Sequence, residues 1–269
     1  MEALSLNPIL FTQVPALEAV FTKFITFIDG AATSTPTGFN KDEINTMLTS
    51  RILPYLQGRA ALISGKLKPA PGAPPDMLIS WARSTATLSS ALPIAQLFPL
   101  IDMWRLALLD PTVTTILSSL SPAHNPVFLL LERAQEALGE STPDGVTTIR
   151  NTVLTTLRML SNALGVDTFA RMLCSAPDAR ARMMDVLVPC LLHEDAAVRT
   201  AAASAAFNVA AFLQRGRVDQ MRSGRSDAIG SELDGDWEVE MVSAVVEAIG
   251  RETKSEDVGM SSHICFLED

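Results

Sequence analysis

The stretch "EDAAVRTAAASAAFNVAAFL" (194–213) decides the fold. Alanine, the best helix former, dominates it, and its small side chains allow neighbouring helices to approach closely. One polar residue, Asn208, interrupts its apolar run. Upstream, "NTVLTTLRMLSNAL" (151–164) has the same arrangement, with Asn162 inside an apolar helical pattern. Asn162 and Asn208 are 46 positions apart, inside the span of about 40–47 residues at which helical repeat units recur. Beyond these two positions the units align poorly, because matching Arg150 to Arg199 requires an offset of 49. The reading is an all-α solenoid of armadillo/HEAT-like type with irregular repeats.

Helical periodicity continues in both directions. "VPALEAVFTKFITFID" (14–29), "DMLISWARSTATLSSAL" (76–92), "NPVFLLLERAQEALG" (125–139), "ARARMMDVLVPCLL" (179–192) and "WEVEMVSAVVEAIGRET" (237–253) all carry apolar residues at helical spacing. Asn40 ahead of "KDEINTMLTSRILPYL" (41–56), with Glu43 three residues on, predicts a capping box. "GAATSTPTG" (30–38) and the proline-rich "SGKLKPAPGAPP" (64–75) read as loops. The polar, Gly/Ser-containing segment 214–236 reads as an exposed loop. There is no convincing run of strand alternation, and one tyrosine in 269 residues also argues against a β-rich chain.

The net charge of −9 is unevenly distributed. Residues 1–130 hold eight acids and eight bases, and residues 131–225 hold ten acids and eleven bases, all arginine. Residues 226–269 hold twelve acids and two bases. A central region whose positive charge is arginine alone suits local recognition of carboxylates. With no basic excess and no interleaved aromatics, nucleic acid is not the expected partner. The three cysteines (Cys174, Cys190, Cys265) are too scattered for a disulfide framework and point to a reducing compartment. No basic leader opens the chain, and the longest apolar runs are interrupted at Pro93, Pro99, Asp102 or Pro189, so no membrane association is expected.

Catalytic, cofactor and metal signals are weak. "GRAALISGKL" (58–67) has six residues between its glycines where a phosphate loop has four, and Leu67 in place of a magnesium-binding hydroxyl. Cys190 and His193 share a helix face, but two ligands make no zinc site, and same-helix neighbours rarely orient as a nucleophile–base pair. The remaining reading is a binding surface. Asn162 and Asn208 each offer a donor and an acceptor to an extended peptide backbone. Arg158, one turn before Asn162, offers a bidentate fork to carboxylates. Asp102 and Arg105, three apart in "LFPLIDMWRLALLDP" (97–111), are spaced to pair, which either braces the helix or holds Arg105 toward the same groove, and both can be true at once. Arg150 and Arg199 join this candidate groove on charge and spacing.

Several of these stretches resemble the PUL domain. "LFPLIDMWRLALLDPTVTTIL" is similar to its "FP-x-L-D-x-x-R-L" helix, "TVLTTLRMLSNAL" to its "L-x-x-L-R-x-x-x-N" helix, and "ASAAFNVAAFL" to its later Ala-rich helix with a central Asn. "VPALEAVFTKFITFIDG" and "NKDEINTMLTSRILPYL" match its first two helices in order. The resemblance covers residues 7–258 within a domain taken as 1–258. It implies an armadillo-like solenoid that binds the acidic, tyrosine-containing C-terminal tail of the valosin-containing AAA ATPase, without enzymatic activity of its own. Arg105, Arg158, Asn162 and Asn208 fall on motif positions that would line or brace the groove.

The same resemblance implies a role in ubiquitin-dependent turnover in the cytoplasm or nucleus, C-terminal to an upstream module such as a WD-repeat propeller, and the chain is expected to be monomeric. Two other readings stay open. One is a fragment of a protein whose upstream thioredoxin-like or deconjugating-peptidase domain is the enzyme; the other is a general armadillo scaffold for a different partner. After "RETKSEDV" the family pattern would continue into another apolar helix, whereas residues 259–269 read "GMSSHICFLED". That departure is expected to be intron read-through or a frameshift, truncating the domain.

Overall fold

The computed structural model describes residues 5–34, 39–66, 72–139, 146–223 and 235–252. Its regular elements are helical: α1 (Leu17–Ser34), α2 (Lys41–Met47), α3 (Leu53–Ile63), α4 (Pro75–Ala91), α5 (Phe98–Ala107), α6 (Pro111–Leu117), α7 (Pro126–Gly139), α8 (Val146–Leu164), α9 (Asp167–Ser175), α10 (Pro177–Leu191), α11 (Ala196–Ser223) and α12 (Gly235–Glu252). No strand occurs among the described residues. The all-α class and the armadillo-like architecture stand.

Local chemistry sets many of the boundaries. Asn40 Oδ1 accepts the Glu43 N–H and so caps α2, and its side-chain amide donates to Glu43 Oε2, a side-chain variant of the expected capping box. A π turn, Leu48–Ile52, joins α2 to α3 just ahead of Pro54. Proline has no N–H to continue the ladder and its ring crowds the preceding turn, and a π turn absorbs the mismatch. Asp110 caps α6 through the Thr112 N–H at 3.0 Å, with Pro111 in the first helical position. The wholly buried Asn125 accepts from Val127 N–H and donates to the Leu117 carbonyl, fixing the turn into α7.

The helices stack in two layers. α4, α7 and α10 pack successively along one side, and α5, α8 and α11 along the other, with α12 against α10 and α11. The short α6 and α9, which touch each other, precede α7 and α10, so α6–α8 and α9–α11 are successive three-helix units. Ala201, Ala202, Ala205 and Ala206 are buried on α11, where it closes on α8. Trp81 of α4 and Trp104 of α5 stack in the core with centroids 3.7 Å apart, and Trp104 Nε1 donates to Thr85 Oγ1. Fully burying one large apolar side chain stabilises a fold by about 1.5–3 kcal/mol, so this pair is the heaviest anchor between the two layers.

Two loop expectations need correction. α1 runs to Ser34, so the first residues of segment 30–38 are helical. α11 runs to Ser223, so the reading of 214–236 as one exposed loop fails over its first ten residues. Side-chain partners hold this extension: Arg215 donates to Asp167 of α9 and to the Leu6 carbonyl, and Arg217 pairs with Glu238 of α12. Tertiary contacts override a polar composition that reads locally as loop. Residues 224–234 and 259–269 lie outside the described residues. One described helix, Ala196–Arg222, is long and apolar enough to cross a membrane, and it packs between α8, α10 and α12.

Candidate peptide-binding groove

The inner helices α5, α8 and α11 present Arg105, Asn162 and Asn208 as successive rungs. Both asparagines are 1% exposed and Arg105 is 4% exposed, burial that polar groups tolerate only when hydrogen-bonded. Their partner is the chain's own N-terminal segment, residues 6–13. Asn208 Oδ1 accepts the Ile9 N–H at 2.7 Å and its amide donates to the Ile9 carbonyl at 2.9 Å. Two residues on, Asn162 repeats the clamp, accepting from Phe11 N–H at 2.7 Å and donating to the Phe11 carbonyl at 3.1 Å. Arg105 donates to the carbonyls of Phe11 and Gln13 at 2.5 and 2.8 Å. Ser161 Oγ adds a bond to the Ile9 carbonyl, and Arg215 one to that of Leu6.

The two-residue step shows an extended strap, whose backbone groups turn to the same side at every second residue. The rungs are also linked to one another. Asn162 donates to the Arg105 carbonyl and Asn208 to the Ser161 carbonyl, both at 2.9 Å. Gly165 lets the Leu10 side chain of the strap lie close against the end of α8. A Cβ there would lie 2.5 Å from Leu10 Cδ2 and 3.2 Å from the Asn162 carbonyl oxygen.

The six arginines and asparagines read as groove residues divide by partner. Asp102 accepts from Arg105 Nε at 2.5 Å, as its spacing implies, leaving the rest of that guanidinium for strap carbonyls. Arg150 makes a two-pronged pair with Asp195 at 2.6 and 3.1 Å, tying α8 to the turn before α11. Asp195 also accepts from Val198 N–H, and its carboxyl is held below the usual carboxylate range, chiefly by Arg150. Arg199 pairs with the buried Glu252 of α12 and donates to the carbonyls of His193 and Glu194. The inclusion of Arg150 and Arg199 in the groove is therefore corrected: both join one helical unit to the next, because each has an acid within reach across a unit boundary.

Arg158 differs from these. It is half-buried on α8, with its guanidinium carbon 5.5 Å from the centroid of the Phe11 ring, a distance at which a cation is attracted to the ring face. Its Nε is buried without a hydrogen-bond partner, and no ion pair involves it among the described residues. Burial, and then the neighbouring Arg105, draw the Arg158 guanidinium below the usual arginine range, with Asp102 opposing; arginine nonetheless stays protonated in proteins. Within the cluster Asp102 offsets Arg105 and Asp195 offsets Arg150, so the charge of Arg158 is left over.

The two described cysteines, Cys174 and Cys190, offer no chemistry in competition. Burial pushes the thiols of Cys174 and Cys190 up to about 12, which leaves them protonated and unreactive. His193 Nδ1 accepts the Asp195 N–H and serves the turn. No group of three metal-ligating side chains exists among the described residues. The strap, Ser161 and Arg215 are absent from the sequence reading of the site. Their signal was an uncharged segment, "SLNPILFTQVP" (5–15), set off by Pro8 and Pro15 ahead of the first helix.

A family model described as the PUL domain matches residues 5–265, nearly the whole chain, including the strap. No curated protein and no solved structure matches the chain.

Proposed function

The chain belongs to the PUL-domain family, an all-helical protein-binding module, and from that premise we propose that it is a non-enzymatic adaptor for the acidic C-terminal tail of the valosin-containing AAA ATPase in ubiquitin-dependent turnover. The observation that carries this reading is Arg158, a half-buried cation without an acid of its own, beside a groove that already holds an extended backbone. A desolvated guanidinium gains most from a carboxylate supplied by a ligand, because opposite charges attract more strongly away from bulk water. Because a charge attracts the tail, binding is also salt-sensitive. The setting follows from the same premise: a cytoplasmic or nuclear monomer.

Calorimetry with the synthetic tail peptide, against the same peptide with its acidic side chains neutralised, tests the reading. Arg158→Glu abolishes binding if it is right. Equal binding of both peptides, or undiminished binding by Arg158→Glu, refutes it and favours a scaffold for another partner. Arg105→Glu is a poorer probe, since Arg105 holds the strap and its loss acts through the fold; circular dichroism on that variant separates the two effects.

A further inference from the structure

The strap has two edges. One is hydrogen-bonded to Asn208, Asn162 and Arg105 through Ile9, Phe11 and Gln13. The other carries the N–H and C=O groups of the alternate residues Leu10 and Thr12, which make no hydrogen bond among the described residues. Both residues are exposed, and Ile9 and Leu10, at 42% and 40% exposure, are two of the large apolar side chains left on the surface. A strand with one edge satisfied and the other open is a template for a further strand. Extended peptides commonly dock by adding to such an edge.

Charge indicates what kind of peptide. Residues 5–16 of the strap carry no ionisable side chain, so nothing on it repels an acidic chain. The nearest surplus charge is that of Arg158 against the Phe11 ring. A ligand that took over the asparagine rungs would first have to break the strap's bonds, only to make equivalent ones. It would also compete with a segment held in cis at an effective concentration of order millimolar. Pairing with the open edge requires no such exchange.

We propose that residues 9–13 form a preformed strand edge to which an extended acidic peptide adds, its backbone pairing with Leu10 and Thr12 and one of its carboxylates meeting Arg158. This rests on the tail-binding reading above, and makes the strap part of the receptor instead of a competitor for the groove.

The test is solvent-exchange NMR of the 15N-labelled full chain with the synthetic tail peptide, together with two versions of that peptide N-methylated at alternating positions. On saturation the Leu10 and Thr12 amides exchange at least about tenfold more slowly while Ile9 and Phe11 keep their protection. One N-methylation register loses about tenfold in affinity, because its methyl groups replace the donors that pair with the strap, and the other retains it. Thr12→Pro, which deletes one donor but suits an extended Phe11, weakens binding similarly. If the unmodified peptide binds but Leu10 and Thr12 are unaffected, or Ile9 and Phe11 become exposed, the strand-edge proposal is overturned and tail binding stands. If the unmodified peptide does not bind at all, both fall.

Discussion

Two arginine pairs in this molecule have opposite consequences. At the far end, Arg199 and Arg251 fasten α12 to the end of α10. Arg199 pairs with Glu252 and donates to the carbonyls of His193 and Glu194, and Arg251 donates to that of Leu192 at 2.9 Å and to Glu247 at 2.6 Å. These carbonyls follow a helix C-terminus, where unsatisfied acceptors attract cations. In the groove, Arg105 is satisfied by Asp102 and the strap, while Arg158 has only an aromatic face. The lesson is that an arginine's role follows from whether the fold brings it an acid, and neither its abundance nor its repeat spacing reports that.

The comparison can be broken most forcefully at the far end. Arg199→Ala removes the guanidinium that pairs with the buried Glu252 and should cost about 3 kcal/mol in urea unfolding, with tail-peptide affinity unchanged under conditions where the variant is folded. A loss below about 1 kcal/mol would mean that the clasp is ornamental. The ladder comes next. Asn208→Ala orphans the Ile9 N–H and should cost about 2 kcal/mol, accompanied by faster amide exchange at Ile9. Unaltered exchange there would contradict the clamp.

Arg158 is the contrast. Arg158→Gln gives up the contact with the Phe11 ring while relieving repulsion with Arg105, and should move stability by no more than about 1 kcal/mol, while weakening the acidic peptide about tenfold. A large stability loss with affinity intact would move Arg158 into the structural class.

The smallest effect belongs to Arg150 and Asp195. The Asp195 carboxyl is depressed by Arg150, so its contribution is fully present above the unfolded carboxylate value of about 3.9 and disappears as pH falls through the lower folded value. Asp195→Asn should therefore flatten the acid side of the stability profile below about pH 4 and leave Arg158-dependent binding alone. An unchanged profile would show that this half-buried pair contributes nothing measurable.

Much of the architecture was legible in the sequence because helices declare themselves locally. Apolar spacing, the Asn40–Glu43 box and the Ala-rich run at 201–211 each act within a few turns, and the structure contains all three. The repeat spacing of Asn162 and Asn208 was legible for the same reason, since stacked units bring equivalent positions to one side. The short α9 and the continuation of α11 to Ser223 were not, because they are tied across long sequence separations: Arg215 of α11 to Asp167 of α9 and to Leu6, and Arg217 to Glu238.

The sequence by itself determined that this chain is a helical solenoid with polar rungs at repeat spacing, since periodicity and small residues are local properties of the chain. Only the tertiary structure decided what those rungs hold and which arginine is left over. The strap lies 199 positions from Asn208 and 151 from Asn162, and Glu252 lies 53 from Arg199. Which donors and charges meet at such separations depends on how the helices stack.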